Sequence, residues 1–209
     1  LDVHRLHLLL GTFGGDAVVT TLNKIIAPEM LSHSHIEEFR SLVFDRQDNE
    51  ANAAQVKLIL NYFVSYEYRE EIIDLLMTKH FNGIRSGTDN YYITSKQINT
   101  LQENGMIIGS HAVSHRIFSK LTVAEQKCEI NDSFEYLDKV TDGLKYRTFS
   151  FPFGGNDSFN EESESLLEAA GCTFSFKVEP RNITARDLTQ NRQALPRYDC
   201  NRFRYGKVR

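Results

Sequence analysis

Two histidines four residues apart carry the strongest chemical signal in this chain. They lie in Gly109-Ser110-His111-Ala112-Val113-Ser114-His115. Imidazole is the commonest protein ligand for zinc and related divalent ions. A His-x-x-x-His pair turns both rings to one side when the backbone between them curls as a helix does. Spacing alone does not make a site, and the plain alternative is a pair of surface or structural histidines. What strengthens the signal is its context. The apolar run Met106-Ile107-Ile108 directly before the pair reads as a short buried strand, and strand ends are where α/β sheets present ligands.

The other reactive side chains read more blandly. His33 and His35 flank Ser34 in a polar stretch that suits a solvated loop. His4, His7 and His80 fall on helix-like segments and are expected to be partly exposed. The charged run Glu67–Glu71 reads as a solvated helix face. Cys128, Cys172 and Cys200 show no CxxC spacing, and three cysteines do not complete a disulfide framework, so they read as buried or free thiols.

The elements that must position the pair follow from the pattern along the chain. Residues 1–84 are rich in helical patterns. Val56–Met77 places Val56, Leu60, Phe63, Ile72, Leu75 and Leu76 at mostly helical spacing, with an interruption at Ser65-Tyr66 that predicts two helices. Residues 82–90, with Gly83, Gly87 and Asp89-Asn90, read as a loop. Beyond them the chain alternates. Thr94-Ser95-Lys96-Gln97 is a capping box that opens a short helix, closed by Gly105. Thr122-Val123-Ala124-Glu125 opens a long helix with Ile130, Phe134 and Leu137 on its inner face. Thr148–Phe151 reads as a strand ended by Pro152 and Gly154-Gly155. Ser158-Phe159-Asn160-Glu161 reads as a third capping box, and Gly171 ends the helix it starts. Cys172–Phe176 alternates as a strand does. Alternating helices and strands predict an α/β layer with a parallel sheet.

Composition bounds the rest. The chain has 209 residues, 41 % hydrophobic and 25 % charged, with a formal net charge of -4. These values suit an ordinary globular domain, or a domain with a subdomain. The balance gives no support for nucleic-acid binding, which shows as a basic patch. No apolar run approaches the roughly 20 residues that span a bilayer. No signal peptide is read at the start, and the compartment stays open.

Three elements together resemble the polysaccharide deacetylase family. Leu101–Leu121, "LQENGMIIGSHAVSHRIFSKL", resembles its second signature: a strand, a histidine pair, a turn and a helix. Phe149-Ser150-Phe151-Pro152-Phe153-Gly154-Gly155 resembles the third, a strand ending in aromatic-Pro-aromatic-Gly. Leu195-Pro196-Arg197-Tyr198-Asp199 resembles a late Leu-Pro-Arg-x-Asp element. The resemblance covers about residues 90–200.

This resemblance implies an incomplete, distorted β/α barrel with parallel strands over residues 86–209, preceded by a mostly helical insertion over 1–85. It implies a divalent metal, zinc by preference, held by His111 and His115 with an aspartate. It implies an acetyl pocket lined by Phe151, Pro152, Phe153 and Gly154, with a backbone amide near Phe153 and Gly154 for the oxyanion. Arg197 and Asp199 stand near the place of the late general-acid element and are the catalytic candidates, with a structural ion pair as their alternative. The partner implied is an acetylated carbohydrate.

The sequence departs from the family at the first signature, Thr-Phe-Asp-Asp-Gly. Thr12-Phe13-Gly14-Gly15-Asp16 has glycines where the carboxylates belong, and Val43-Phe44-Asp45-Arg46 has one carboxylate followed by a cation. The expectation is that the two aspartates lie upstream of Leu1, that this chain alone is inactive or nearly so, and that an open sheet edge favours a homodimer. A non-catalytic carbohydrate-binding or structural domain on the same scaffold, and a metal-dependent hydrolase of small amides, remain as alternatives.

Overall fold

The computed structural model describes residues 1–31, 51–81, 91–204 and 206. The predicted loop at 82–90, the His33–His35 pair and Asp45 lie outside the described residues. The chain divides into two compact units, Leu1–Asp89 and Asn90–Arg209. No helix among the described residues is long and apolar enough to cross a membrane.

The first unit is helical. Helix α1 spans Asp2–Ile25, with a non-helical kink at Gly14 (φ 75°, ψ 164°). Helix α2 (Ala51–Leu58) continues into a π-helical turn, Ile59–Phe63, and α3 spans Tyr66–Phe81. The predicted interruption is real: Val64 is extended and ends the π-turn. Leu9, Val18, Leu22, Val56, Leu60, Ile72 and Leu76 form the core. Gly15 is needed there, because a Cβ would sit 2.4 Å from the Ala53 amide nitrogen of α2. The reading of Glu67–Glu71 as wholly solvated needs correction. Glu67, Glu70 and Glu71 are exposed, but Arg69 is buried. Its guanidinium donates to Leu60 O, Asp2 and Asn61, and such partners are what a charge inside a helical core requires.

The second unit mixes helices with a parallel sheet. Its strands are β1 (Thr148–Ser150), β2 (Phe174–Val178) and β3 (Leu195–Arg197), in the order β1-β2-β3. Both pairings are parallel, with Phe149 opposite Ser175 and Lys177 opposite Pro196. Around them lie α4 (Ser95–Glu103), α5 (Val123–Thr141), α6 (Glu161–Ala169) and α7 (Ala185–Gln190). The capping boxes at Thr94 and Thr122 form with both reciprocal hydrogen bonds. The third differs from the expectation. Asn160 caps α6 with Ser163, while the Ser158 hydroxyl donates to Gly155 O and braces the preceding turn instead.

The core of this unit is aromatic. Phe118, Phe134, Phe149, Phe151 and Phe159 pack with Ile130 and Leu167. Phe151 and Phe159 stack with ring centroids 4.0 Å apart. Leu137 on α5 is half-buried, beside the fully buried Ile130 and Phe134. Arg147 ties helix ends together, donating to Asp138 at the end of α5 and to Ala170 O after α6.

Met106–Ile108 is not the buried strand that its composition suggests. Met106 and Ile107 are 58 % and 61 % exposed. Only Ser110 pairs with the sheet, as a single parallel bridge to Phe149. The register explains this. A parallel ladder running back from Ser110–Phe149 would set Met106–Ile108 beside Lys145–Arg147, and the chain bends at Lys145 and Tyr146. A bent segment offers no ladder to pair with.

Candidate functional site

In a parallel sheet all carboxyl ends share one edge, and loops leaving that edge converge. Here the edge collects three segments: the loop after Ser110, the turn after β1, and the end of β3 at Arg197.

The loop carries both histidines. Their ring centroids lie 4.9 Å apart at an interplanar angle of 75°. His115 also faces Phe153 of the β1 turn, at 5.1 Å. The loop reaches this shape through two left-handed residues, Ala112 (φ 64°) and His115 (φ 58°). So the rings share one side as the spacing suggests, but through a strained turn, not a helix.

His111 Nδ1 donates to Ser150 O at 2.5 Å. A carbonyl only accepts, so this contact puts the proton on Nδ1 and leaves Nε2 with its lone pair. That tautomer suits a metal ligand, whose other ring nitrogen normally donates to a carbonyl or carboxylate. His111 is lowered below its ordinary value, first because protein atoms crowd the ring although the residue as a whole is exposed. The Ser150 hydrogen bond opposes this, and the positive Arg197 adds to it.

The β1 turn sorts its residues. Phe151 is buried in the aromatic core, so it anchors the turn and is not open to a ligand. Pro152 is buried and Phe153 half-buried. Phe153 and Gly154 both have positive φ, 63° and 73°. A Cβ on Gly154 would lie 2.6 Å from Val178 Cγ2 and 3.3 Å from Arg197 Nη2, so only glycine fits. The Gly154 amide donates to Pro152 O at 2.7 Å. It is therefore engaged within the turn, against the expectation that it is available for an oxyanion.

Arg197 ends β3 with its guanidinium over Gly154. Its Nε is buried and has no hydrogen-bond partner among the described residues. Asp199, two residues on, is half-buried and opens a short 3-10 turn. The two form no ion pair with each other among the described residues. The fit to a divalent metal is partial. Two imidazoles stand together, His111 in a tautomer that suits a ligand, and no group of three or more His, Cys, Asp or Glu forms a metal cluster among the described residues.

Sequence reasoning missed Ser110, Glu129 and Ser133, which hold the histidine loop. Ser110 Oγ lies 2.6 Å from Ser133 Oγ and accepts from the Ala112 amide at 3.1 Å. The Val113 and Ser114 amides both donate to Glu129 Oε2 at 2.8 Å, and the Ser114 hydroxyl donates to Oε1. A signal existed: Glu129 and Ser133 are polar residues on the stripe of α5 that also carries Gln126, Ile130 and Phe134. Polar groups on an inner stripe need partners.

A family profile described as "Polysaccharide deacetylase" matches residues 64–175, just over half of the chain. Among curated proteins none matches. Among solved structures, "Streptococcus pyogenes deacetylase PplD in complex with acetate" is similar at 16 % identity and a TM-score of 0.46, covering 88 % of this chain and 80 % of that one.

Proposed function

The chain belongs to the polysaccharide deacetylase family, and from that premise we propose that it is a metal-dependent hydrolase removing N- or O-acetyl groups from a polysaccharide or sugar precursor. The observation that carries the reading is the hydrogen bond from His111 Nδ1 to Ser150 O. It leaves Nε2 unprotonated on a ring that stands 4.9 Å from that of His115.

In this reading His111 and His115 hold the metal, zinc by preference. A bound divalent ion supplies Lewis-acid polarisation of the acetyl carbonyl and a more acidic water. Phe153 and Pro152 shape the acetyl pocket, and Phe151 fixes that turn from the core. Arg197 lies close enough to bear on His111 electrostatically, so its cation would offset negative charge developing on the substrate oxygen. Asp199 is the proton carrier assigned to this unit. The three-strand sheet is then part of an incomplete β/α barrel, residues 1–85 are its helical insertion, and exposed Met106 and Ile107 beside the Ser110 edge favour a homodimer.

A second reading is a non-catalytic carbohydrate-binding domain on the same scaffold. The two-imidazole donor set among the described residues favours it. Zinc content and the zinc dependence of glycan binding separate the two. The enzyme reading expects close to one zinc per chain, lost in His111→Ala. Equal zinc content in the wild type and His111→Ala would sink it. Glycan binding indifferent to zinc would establish the other.

A further inference from the structure

We propose that Glu129 is a positioning residue for the histidine pair, acting through the loop that carries both rings; this rests on the reading of that pair as a metal centre. The Glu129 carboxylate collects three donors from the residues between the two imidazoles. Two successive amides, Val113 and Ser114, converge on Oε2, and the Ser114 hydroxyl reaches Oε1. Successive amides pointing one way form a cradle for an anion, and here the anion is built into α5.

The conformation being held is an unfavourable one. Ala112 and His115 both take left-handed backbone angles without being glycine, and such residues persist only where surroundings over-determine them. The over-determination comes from α5. Glu129 pins residues 113 and 114. Ser133, one helical turn on, meets Ser110 Oγ, which accepts from the Ala112 amide. His111 itself is tied to Ser150 O. Without Glu129, the segment between the two rings would lose its anchor while the aromatic core beneath stayed intact. The imidazoles would then have to be ordered by the metal itself, at a cost in affinity.

The test is zinc affinity of the 209-residue chain, measured by competition with a chromophoric chelator, with the thermal midpoint in EDTA measured alongside. Glu129→Ala is expected to weaken zinc about ten- to a hundred-fold, the range for residues that orient metal ligands. Glu129→Gln should recover most of that loss. Its amide oxygen still accepts both backbone amides, and its amino group can donate to the Ser114 hydroxyl. Should Glu129→Ala fail to fold, Ser114→Ala removes a single bond and should weaken zinc by a smaller factor. Wild-type affinity in Glu129→Ala, with His111→Ala unable to bind, overturns the inference and leaves the metal centre standing. Equal losses in the alanine and glutamine variants also overturn it, since charge and not loop geometry would then matter. Zinc binding that survives His111→Ala removes the metal centre and the inference with it.

Discussion

Gly154 shows how one residue fixes the shape of a turn. Its φ of 73° and the Val178 contact exclude any side chain. Gly154→Ala should lower stability by about 2 kcal/mol, from left-handed strain plus overpacking. Thermal unfolding checks this, and an unchanged midpoint would contradict it. Cys172 makes the opposite point. Burial pushes its thiol up to about 12, so it stays protonated and acts as packing, as its sequence context suggests. The histidine pair was legible because identity and spacing are local. Its tautomer was not, since Ser150 O lies 39 residues away in sequence. For Glu129 the inner stripe of α5 signalled the need for a partner but not its identity, which depends on the loop that packs against that turn.

Capping decides several elements here, and α7 carries the most charged example. Asp187 caps its first turn with Thr184 and forms an ion pair with Arg181. The Arg181 guanidinium first, then the Thr184 hydroxyl and amide, hold the Asp187 carboxyl well below its ordinary range. A depressed carboxylate stabilises the fold above its unfolded value, near 3.9. That contribution is lost as pH falls from there through the lower folded value. Asp187→Asn should therefore be less stable than wild type at neutral pH, with the gap closing below about pH 4. Urea midpoints across pH measure it; a gap constant with pH would refute the linkage. At this scale, local rules read well from sequence. The Thr94 and Thr122 boxes obey a three-residue offset that needs no tertiary information. Asn160 displaced Ser158 because both sit near the same start, and the Gly155 turn claimed the serine. Met106–Ile108 misled because a strand needs a partner in register, and register is set elsewhere.

The molecule has two cores, one aliphatic in the first unit and one aromatic in the second. Their separateness predicts separable responses. Leu22→Ala should cost roughly 3 kcal/mol and speed amide exchange in α1–α3 while sparing α5. Phe149→Ala should do the reverse, at a similar or larger cost. Exchange by mass spectrometry reads both, and equal acceleration of both units by either variant would argue for one cooperative body. Helical patterns and alternation made the two characters legible, while the number of paired strands was not, because short parallel strands form only through crossovers.

Those crossovers set an order of events. His111 meets Ser150 only by closing a 39-residue span with α5 inside it. A span that long forms slowly, and its contact is rewarded only after the intervening helix has docked. The geometry that orients the imidazole thus matures late on the folding route, and it is among the first features surrendered when α5 breathes away from β1.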